Sequence, residues 1–391
     1  MPLANIKVLD LTRFVAGPFC TQLLGDMGAE VIKIESPDRG DETRYQGAIL
    51  KGESWYFVGL NRNKKSLTLD LKKEEGKEIF RRLVREFDVV VENFRPGVMQ
   101  SLGFDYENLS KMNARIIYCG ISGFGKDGPY ALRPAFDFIA QGLSGFMSIT
   151  GFPERDPVRT GIPISDSIAG FYAAFGILAA VNARGITGKG QEVQISLVDA
   201  MVSILSYLSA QYLTLGEIPK RHGNDHPVLS PYGTFHAADG YVNIAPSGQP
   251  MWERLAQALG LEHLIDDPRF RTNDLRLNHR GELNQIVNEV TSQKTMAEWI
   301  SYLNKEGVPC GPINNVAQAL EDPQIRHQKM VLEVEQPTGK VKILGIPLKL
   351  SETPGAIHRP APQLGENTAE ILNALGYGQD KVLELKKKGV V

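Results

Sequence analysis

Residues 6–35 read IKVLDL, then TRFVAGPFCTQLLGDMGA, then EVIKIE, and this alternation constrains the fold more than any other stretch. The two outer runs have the length and apolar content of buried strands. The stretch between them carries apolar residues at helical spacing. A strand, a helix and a strand in that order predict a parallel pair. The pattern then recurs. SLTLDL (66–71) alternates, KEEGKEIFRRLVREF (73–87) is amphipathic, DVVVEN (88–93) is another buried strand, YENLSKMN (106–113) is a short helix, and RIIYCGISGFG (115–125) is a strand with a glycine-rich exit. Residues 1–125 therefore predict an α/β fold with a Rossmann-like open sheet.

Residues 126–160 hold several Gly and Pro and read as loop-rich. A helix is expected from Asp166 to about residue 183, a strand at EVQISL (192–197) and one helix from about 198 to 214. GEIPKRHGNDHPVLSPYG (216–233) has linker composition. Short strands within 233–245, helices near 251–259, 281–291 and 295–305, and a strand-then-helix pattern in 307–320 describe a smaller α/β domain. VLEVEQ (331–336) and VKILGIPLKL (341–350) are strand-like, and a helix is expected to start at ENTAE in the tail. At 391 residues the chain is too long for one ordinary domain.

Bulk properties narrow the function. The formal charge of −2 points to neither nucleic acid nor an anionic membrane. Cys20, Cys119 and Cys310 are odd in number and far apart, which fits packed thiols in a reducing compartment. The N-terminus lacks the regions of a signal peptide. The longest apolar stretches, near 171–183 and 198–208, are interrupted by polar residues and fall short of the roughly 20 residues of a membrane span. A cytoplasmic enzyme is the expectation.

The loop TRFVAGP (12–18) stands where a dinucleotide fingerprint would stand, and Glu35 where a ribose-binding acid would. Only Gly17 is present, and Pro18 follows it, so a nicotinamide dehydrogenase is disfavoured. GITGKGQ (185–191) lacks the spacing of a phosphate loop. His222 and His226 are four apart but flank Pro227 in a loop, and no metal site is expected. Asp166 stands at the start of an apolar helix. Ser165 or Asp166 has the chemistry of a helix N-cap. The positive end of that helix would keep a carboxylate ionised, which is its nucleophilic form. Ser165, Ser167, Ala169 and Gly170 leave room for a substrate.

The segments VLDLTRFVAGPFCTQLLGDMGAEVIKIE, GDETR, NRNKKSLTLDLK, VENFRPGVM, GFGKDGPY, PAFDFIAQGLSGFM, PISDSIAG, GILAAVNARGITGKGQ and SLVDA together resemble the class III CoA-transferases, the family of formyl-CoA and carnitine CoA-transferases. The resemblance covers roughly the first 200 residues. It implies that Asp166 is the nucleophile of a CoA transfer from an acyl-CoA donor such as succinyl-CoA to a carboxylic acid, through mixed-anhydride and aspartyl-CoA thioester intermediates. CoA enters as acyl-CoA substrate, and no metal is implied. Family positions that contact CoA match Leu69, Lys72, Asn93 and Phe94. Val15 and Ala16 lie in the loop whose backbone N–H groups are candidate oxyanion donors. Three positions that are basic in formyl-CoA members are Ser36, Ser101 and Pro134 here, and Arg39, Arg95 and Arg133 lie near them. The loop APSGQP (245–250) keeps only Gly248 of a glycine-rich family loop. Arg13, Arg44, Arg133 and Arg159 are candidates for a second substrate carboxylate. The α-methylacyl-CoA racemases share the fold but use a His where this chain has Phe136, which favours transferase. A non-catalytic CoA-binding protein is disfavoured by Asp166 together with Lys72, Asn93 and Phe94. The implied architecture is a large domain (1–215), a small domain (233–325) and a C-terminal segment (331–391) returning to the large domain, with two subunits interlocked as linked rings.

Overall fold

The computed structural model describes residues 1–50, 52–336 and 339–391. Met1–Phe146, Arg159–Leu213 and Pro323–Val391 form a larger compact unit, and Met147–Val158 and Thr214–Asp322 a smaller one. In the larger, β1 (Lys7–Asp10), α1 (Ala16–Asp26) and β2 (Glu30–Glu35) are the strand–helix–strand unit read from residues 6–35. β3 (Lys64–Thr68), α2 (Glu74–Glu86), β4 (Val89–Glu92) and β5 (Ile117–Ser122) follow. After α3 (Asp137–Leu143) and α4 (Ile164–Thr187), β6 (Glu192–Ser196) completes the sheet. Its order is β3-β2-β1-β4-β5-β6, and every pairing is parallel.

Register explains why these strands are apolar throughout. Val8 pairs with Val31 and Val89, and this row faces a core shared with α1 and α4. Leu9 pairs with Ile32 and Val90 and faces the opposite core, filled by Ile79, Phe80 and Leu83 of α2. Both faces of the strands are thus buried, as parallel sheets require. The β3 edge is covered by the C-terminal tail. Ser66 N donates to Asn367 Oδ1 at 3.1 Å, Thr68 N to Thr368 Oγ1 at 3.1 Å, and Asp70 N to the Val390 carbonyl at 2.8 Å.

Several expectations are corrected. The helix expected over 198–214 is two, Leu197–Ser203 and Ser206–Leu215, interrupted where Ser206 takes φ 51°. The region 126–160 is loop-rich as expected, with α3 and a short helix, Phe146–Ile149, inside it. The last strand expected over 341–350 is Gly339–Leu344, paired antiparallel with Val331–Gln336. The apolar stretch near 171–183 belongs to α4, whose 24 residues and hydropathy of 1.6 make it long and apolar enough to cross a bilayer by length and composition. No segment was expected to reach that length; the polar interruptions do not break the helix.

The smaller unit is also α/β. β7 (Gly233–Ala237) and β8 (Gly240–Ile244) form a hairpin, α5 spans Gln249–Leu259, and β9 (Cys310–Pro312) pairs antiparallel with β8. Phe235, Val242, Trp252 and Trp299 lie in its core.

Candidate active site

Open parallel sheets take ligands outside the carboxyl ends of their strands, at the point where strand order reverses. In this sheet that point lies between β1 and β4. A cleft of about 280 Å³ opens there, lined by Arg13 and Ala16 after β1, Asn93 and Phe94 after β4, Ser122 at the end of β5, and Asp166.

Two glycines bring these parts together. A Cβ on Gly17 would lie 2.2 Å from Thr12 Cβ, so only glycine lets the loop after β1 fold over Thr12. A Cβ on Gly170 would lie 2.5 Å from the Ala16 carbonyl. Its absence lets α4 and α1 touch one helical turn from Asp166. The loop itself is held from three sides. Thr12 N donates to Asp10 Oδ1 at 2.9 Å, and the buried Lys33 ammonium donates to the Thr12 carbonyl at 2.7 Å. Arg13 N donates to Asn93 Oδ1 at 2.9 Å, and Asn93 Nδ2 donates back to the Arg13 carbonyl at 2.7 Å. Phe14 N donates to Asp41 Oδ1 at 3.3 Å, and Lys33 pairs with Asp41 at 3.0 Å with both side chains fully buried.

Asp166 stands in the first turn of α4, but neither it nor Ser165 is the N-cap. Pro163 precedes the helix, and no side chain of its own caps it. Asp137 of α3 does this from outside, its Oδ1 accepting from both Ser165 N and Ser165 Oγ at 2.9 Å. Gln141 Nε2 donates to Asp137 Oδ2 at 2.8 Å. The helix terminus is thereby satisfied by one carboxylate while a second lies beside it. Burial, and then the charge of Asp137, push Asp166 up to about 7. The helix end, expected to keep the carboxylate ionised, is outweighed by these two effects. Among the described residues none is seen to hydrogen-bond the Asp166 carboxylate. Such a group is ionised in part near neutral pH and unencumbered.

The remaining expected residues divide. Ala16, Asn93, Phe94, Arg95 and Arg133 line the cleft with Asp166. The Arg133 guanidinium stacks 3.7 Å over the Tyr130 ring. Val15 is buried at the start of α1, Leu69 is packed in the α2-side core, and Lys72 and Arg39 are exposed; none of these four lines the cleft. Arg44 is fully engaged elsewhere. Its Nε and Nη2 clasp Glu35 at 2.8 and 2.7 Å, and its Nη1 donates to the Pro362 carbonyl at 3.1 Å. That ion pair also accounts for Glu35. Arg13 lines the cleft with one guanidinium nitrogen 2.8 Å from Glu42. Gly248, at φ 84°, precedes α5 in the smaller unit. Among the described residues no group of three or more His, Cys, Asp or Glu is placed to hold a metal ion.

Sequence reasoning missed two contributors. Asp137 acts on Asp166 across the fold, and no local pattern announces it. Tyr56, on the helix Trp55–Asn61, has its phenol pushed up by burial and then by the charges of Asp166, Asp41 and Asp137. Phe136 stacks edge-on against Phe14, ring centres 5.6 Å apart, and brings no proton-transfer group to the cleft. A neighbouring cavity of about 370 Å³ lies beyond Phe94 and Arg95 and holds Glu92, which burial pushes up to about 7.

This architecture is an α/β fold with a carboxylate-bearing cleft at the switch point of a parallel sheet. A solved CAIB/BAIF family protein from Brucella suis has the same fold, with a TM-score of 0.86 at 40% identity over 96% of this chain and 99% of that one. The succinyl-CoA:glutarate CoA-transferase of Homo sapiens is 39% identical over 393 residues, spanning 100% of this chain and 90% of the relative. The acetyl-CoA:oxalate CoA-transferase of Acetobacter aceti is 39% identical over 372 residues, 95% of each chain. Residues 3–368 match the family model for CoA-transferase family III, and the chain belongs to that family.

Proposed function

We propose that this protein is an acyl-CoA:carboxylate CoA-transferase with Asp166 as its nucleophile. The observation that carries the reading is a partly buried carboxylate with no hydrogen-bond partner among the described residues, held near a pKa of 7, in the cleft at the carboxyl ends of β1 and β4. The ionised Asp166 attacks the donor thioester carbonyl, giving a mixed anhydride and CoA thiolate. The thiolate attacks the aspartyl carbonyl, releasing the donor acid and leaving an aspartyl-CoA thioester. The acceptor carboxylate then runs the sequence in reverse, so the thioester is conserved and one acid leaves for each that enters. Each attack builds an oxyanion that needs donors. The N–H groups at the start of α1, beginning with Ala16, have no partner within their helix and are offered for that role.

Relatives that act on succinyl-CoA, glutarate and oxalate favour a dicarboxylate pair, with succinyl-CoA as donor. Of the arginines considered for a second carboxylate, Arg13 and Arg133 line the cleft, whereas Arg44 is consumed by Glu35. Arg95 and Arg133 are assigned to the CoA phosphates, leaving Arg13 for the substrate.

The sheet order is read as Rossmann-like, and the working unit as an interlocked homodimer. Phe175 and Ile186 on α4 are 65% and 82% exposed, beside exposed Phe171 and Leu178. An apolar face of that extent on the helix that carries the nucleophile suits burial against a second copy. Three unpaired cysteines support a cytoplasmic location.

Intact-protein mass spectrometry tests the reaction. Wild type incubated with succinyl-CoA should gain a CoA-sized, hydroxylamine-sensitive adduct that Asp166→Ala lacks. A wild type that takes no adduct from succinyl-CoA or acetyl-CoA but exchanges the α-proton of a branched acyl-CoA would overturn the proposal.

A further inference from the structure

Asn93, expected among the CoA contacts, lines the cleft and also bonds the protein through both ends of its amide. Its oxygen accepts from Arg13 N and its nitrogen donates to the Arg13 carbonyl, so one side chain from the end of β4 grips both sides of a residue 80 positions away. The next residue shows what the grip resists. Phe14 takes φ 63°, a left-handed conformation that a bulky L residue rarely adopts and does not hold unaided. Asp41 completes the hold from the far side by accepting from Phe14 N. Two residues beyond, α1 begins, and the loop's course fixes where its first N–H groups stand relative to Asp166.

We infer that Asn93 is a positioning residue: it latches the Arg13–Phe14 turn in its strained form and so sets the donors at the start of α1 against Asp166. The inference rests on the proposed transferase reading for its catalytic consequence, but the latch itself is independent of chemistry. Three features support the latch. Both polar atoms of Asn93 are already engaged. The turn it holds is strained. The opposing contact, Asp41, is itself fixed by the buried Lys33.

The test compares wild type with Asn93→Ala and Asn93→Asp in three measurements on the full chain. Hydrogen exchange of the segment 11–20 reads the latch. Calorimetric binding of CoA alone reads the contact. The single-turnover rate of adduct formation from saturating succinyl-CoA reads the consequence. Asn93→Ala is expected to speed exchange in 11–20 at least tenfold with the rest of the sheet unchanged. CoA affinity should stay within threefold, and the adduct rate should fall at least thirtyfold. Asn93→Asp keeps the acceptor for Arg13 N and loses the donor, and is expected to fall between. Unchanged exchange in 11–20, or a tenfold weaker CoA affinity with an unchanged adduct rate, overturns the latch. Faster exchange with an unchanged adduct rate overturns its positioning role. If wild type forms no adduct at all, the transferase reading fails, and exchange and CoA affinity still decide the latch. Should Asn93→Ala not fold, Asn93→Asp carries the same comparison.

Discussion

The carboxylate pair Asp137 and Asp166 offers the sharpest test of how this site is tuned. Replacing Asp137 with Asn removes the like charge and keeps an oxygen to accept from Ser165 N, so the start of α4 stays capped. Asp166 rises from 3.8 to about 7, with burial the larger cause and Asp137 the smaller. The rise is about 3 pH units, so the charge supplies at most about half of it, or ~1.5 units and ~2 kcal/mol. The nucleophile must be ionised, so activity rises with pH through the folded-state value. In wild type the acid limb of log kcat/KM against pH should have its midpoint near 7. In Asp137→Asn it should move down by about one unit, with the plateau above pH 8 little changed. Glu92 is also held near 7 by burial, but Asp137 is not among the causes, so the substitution separates the two groups. Gln141 Nε2 loses its anionic acceptor, which costs about 1 kcal/mol of stability and is read separately by denaturant unfolding. A midpoint that stays in place, or moves up, would refute the claim that Asp137 acts on Asp166 through charge.

Asp166→Asn is expected to stabilise the fold at pH 8 by about 2–4 kcal/mol and to have no effect near pH 4. The sign follows because the unfolded chain ionises from about pH 4 while the folded state keeps its proton to about 7, so this group's contribution to wild-type stability falls across that interval and is fully lost above it; thermal melts at both pH values check it. Gly170→Ala forces a methyl to within 2.5 Å of the Ala16 carbonyl, and should cost about 1–3 kcal/mol and separate α1 from α4, with adduct formation lost before the fold is. Arg44→Ala removes the ion-pair partner of the buried Glu35 carboxylate, leaving Asp41 N and Ser66 Oγ as its donors, and should cost about 3 kcal/mol in urea unfolding. A stable Arg44→Ala protein with altered acid selectivity would instead put Arg44 in the substrate site.

Much of the sheet was readable because both its faces are buried. Runs such as VVVE have no polar alternative to strand, and their regular interruption by helix-spaced segments leaves a parallel arrangement as the simple solution. Asp166 stood out as an acid at the head of an apolar helix, but that pattern fits a helix cap as well, and its nucleophile role is what the family resemblance implies. Its ionisation was not readable, since burial by the fold and then the charge of Asp137 from α3 raise it, and neither is local in sequence. Arg44 and Arg13 are alike in sequence as free cations. Only the fold distinguishes one clasped by a buried glutamate from one facing the cleft. Asn93 carries the same lesson, because a side chain's partners are settled by tertiary proximity rather than by residue type. The break at Ser206 was invisible because its apolar surroundings suit one helix as well as two.

The tail that covers β3 has a consequence for how the chain is made. Asn367, Thr368 and Val390 supply partners to backbone N–H groups of Ser66, Thr68 and Asp70. The edge of the sheet therefore stays open through the synthesis of some three hundred intervening residues. Most of the smaller unit, Thr214–Asp322, emerges before that edge is closed, and it has its own core. A nascent chain is thus expected to carry a finished inner module flanked by an unfinished outer one, with an exposed strand edge in need of a chaperone's protection.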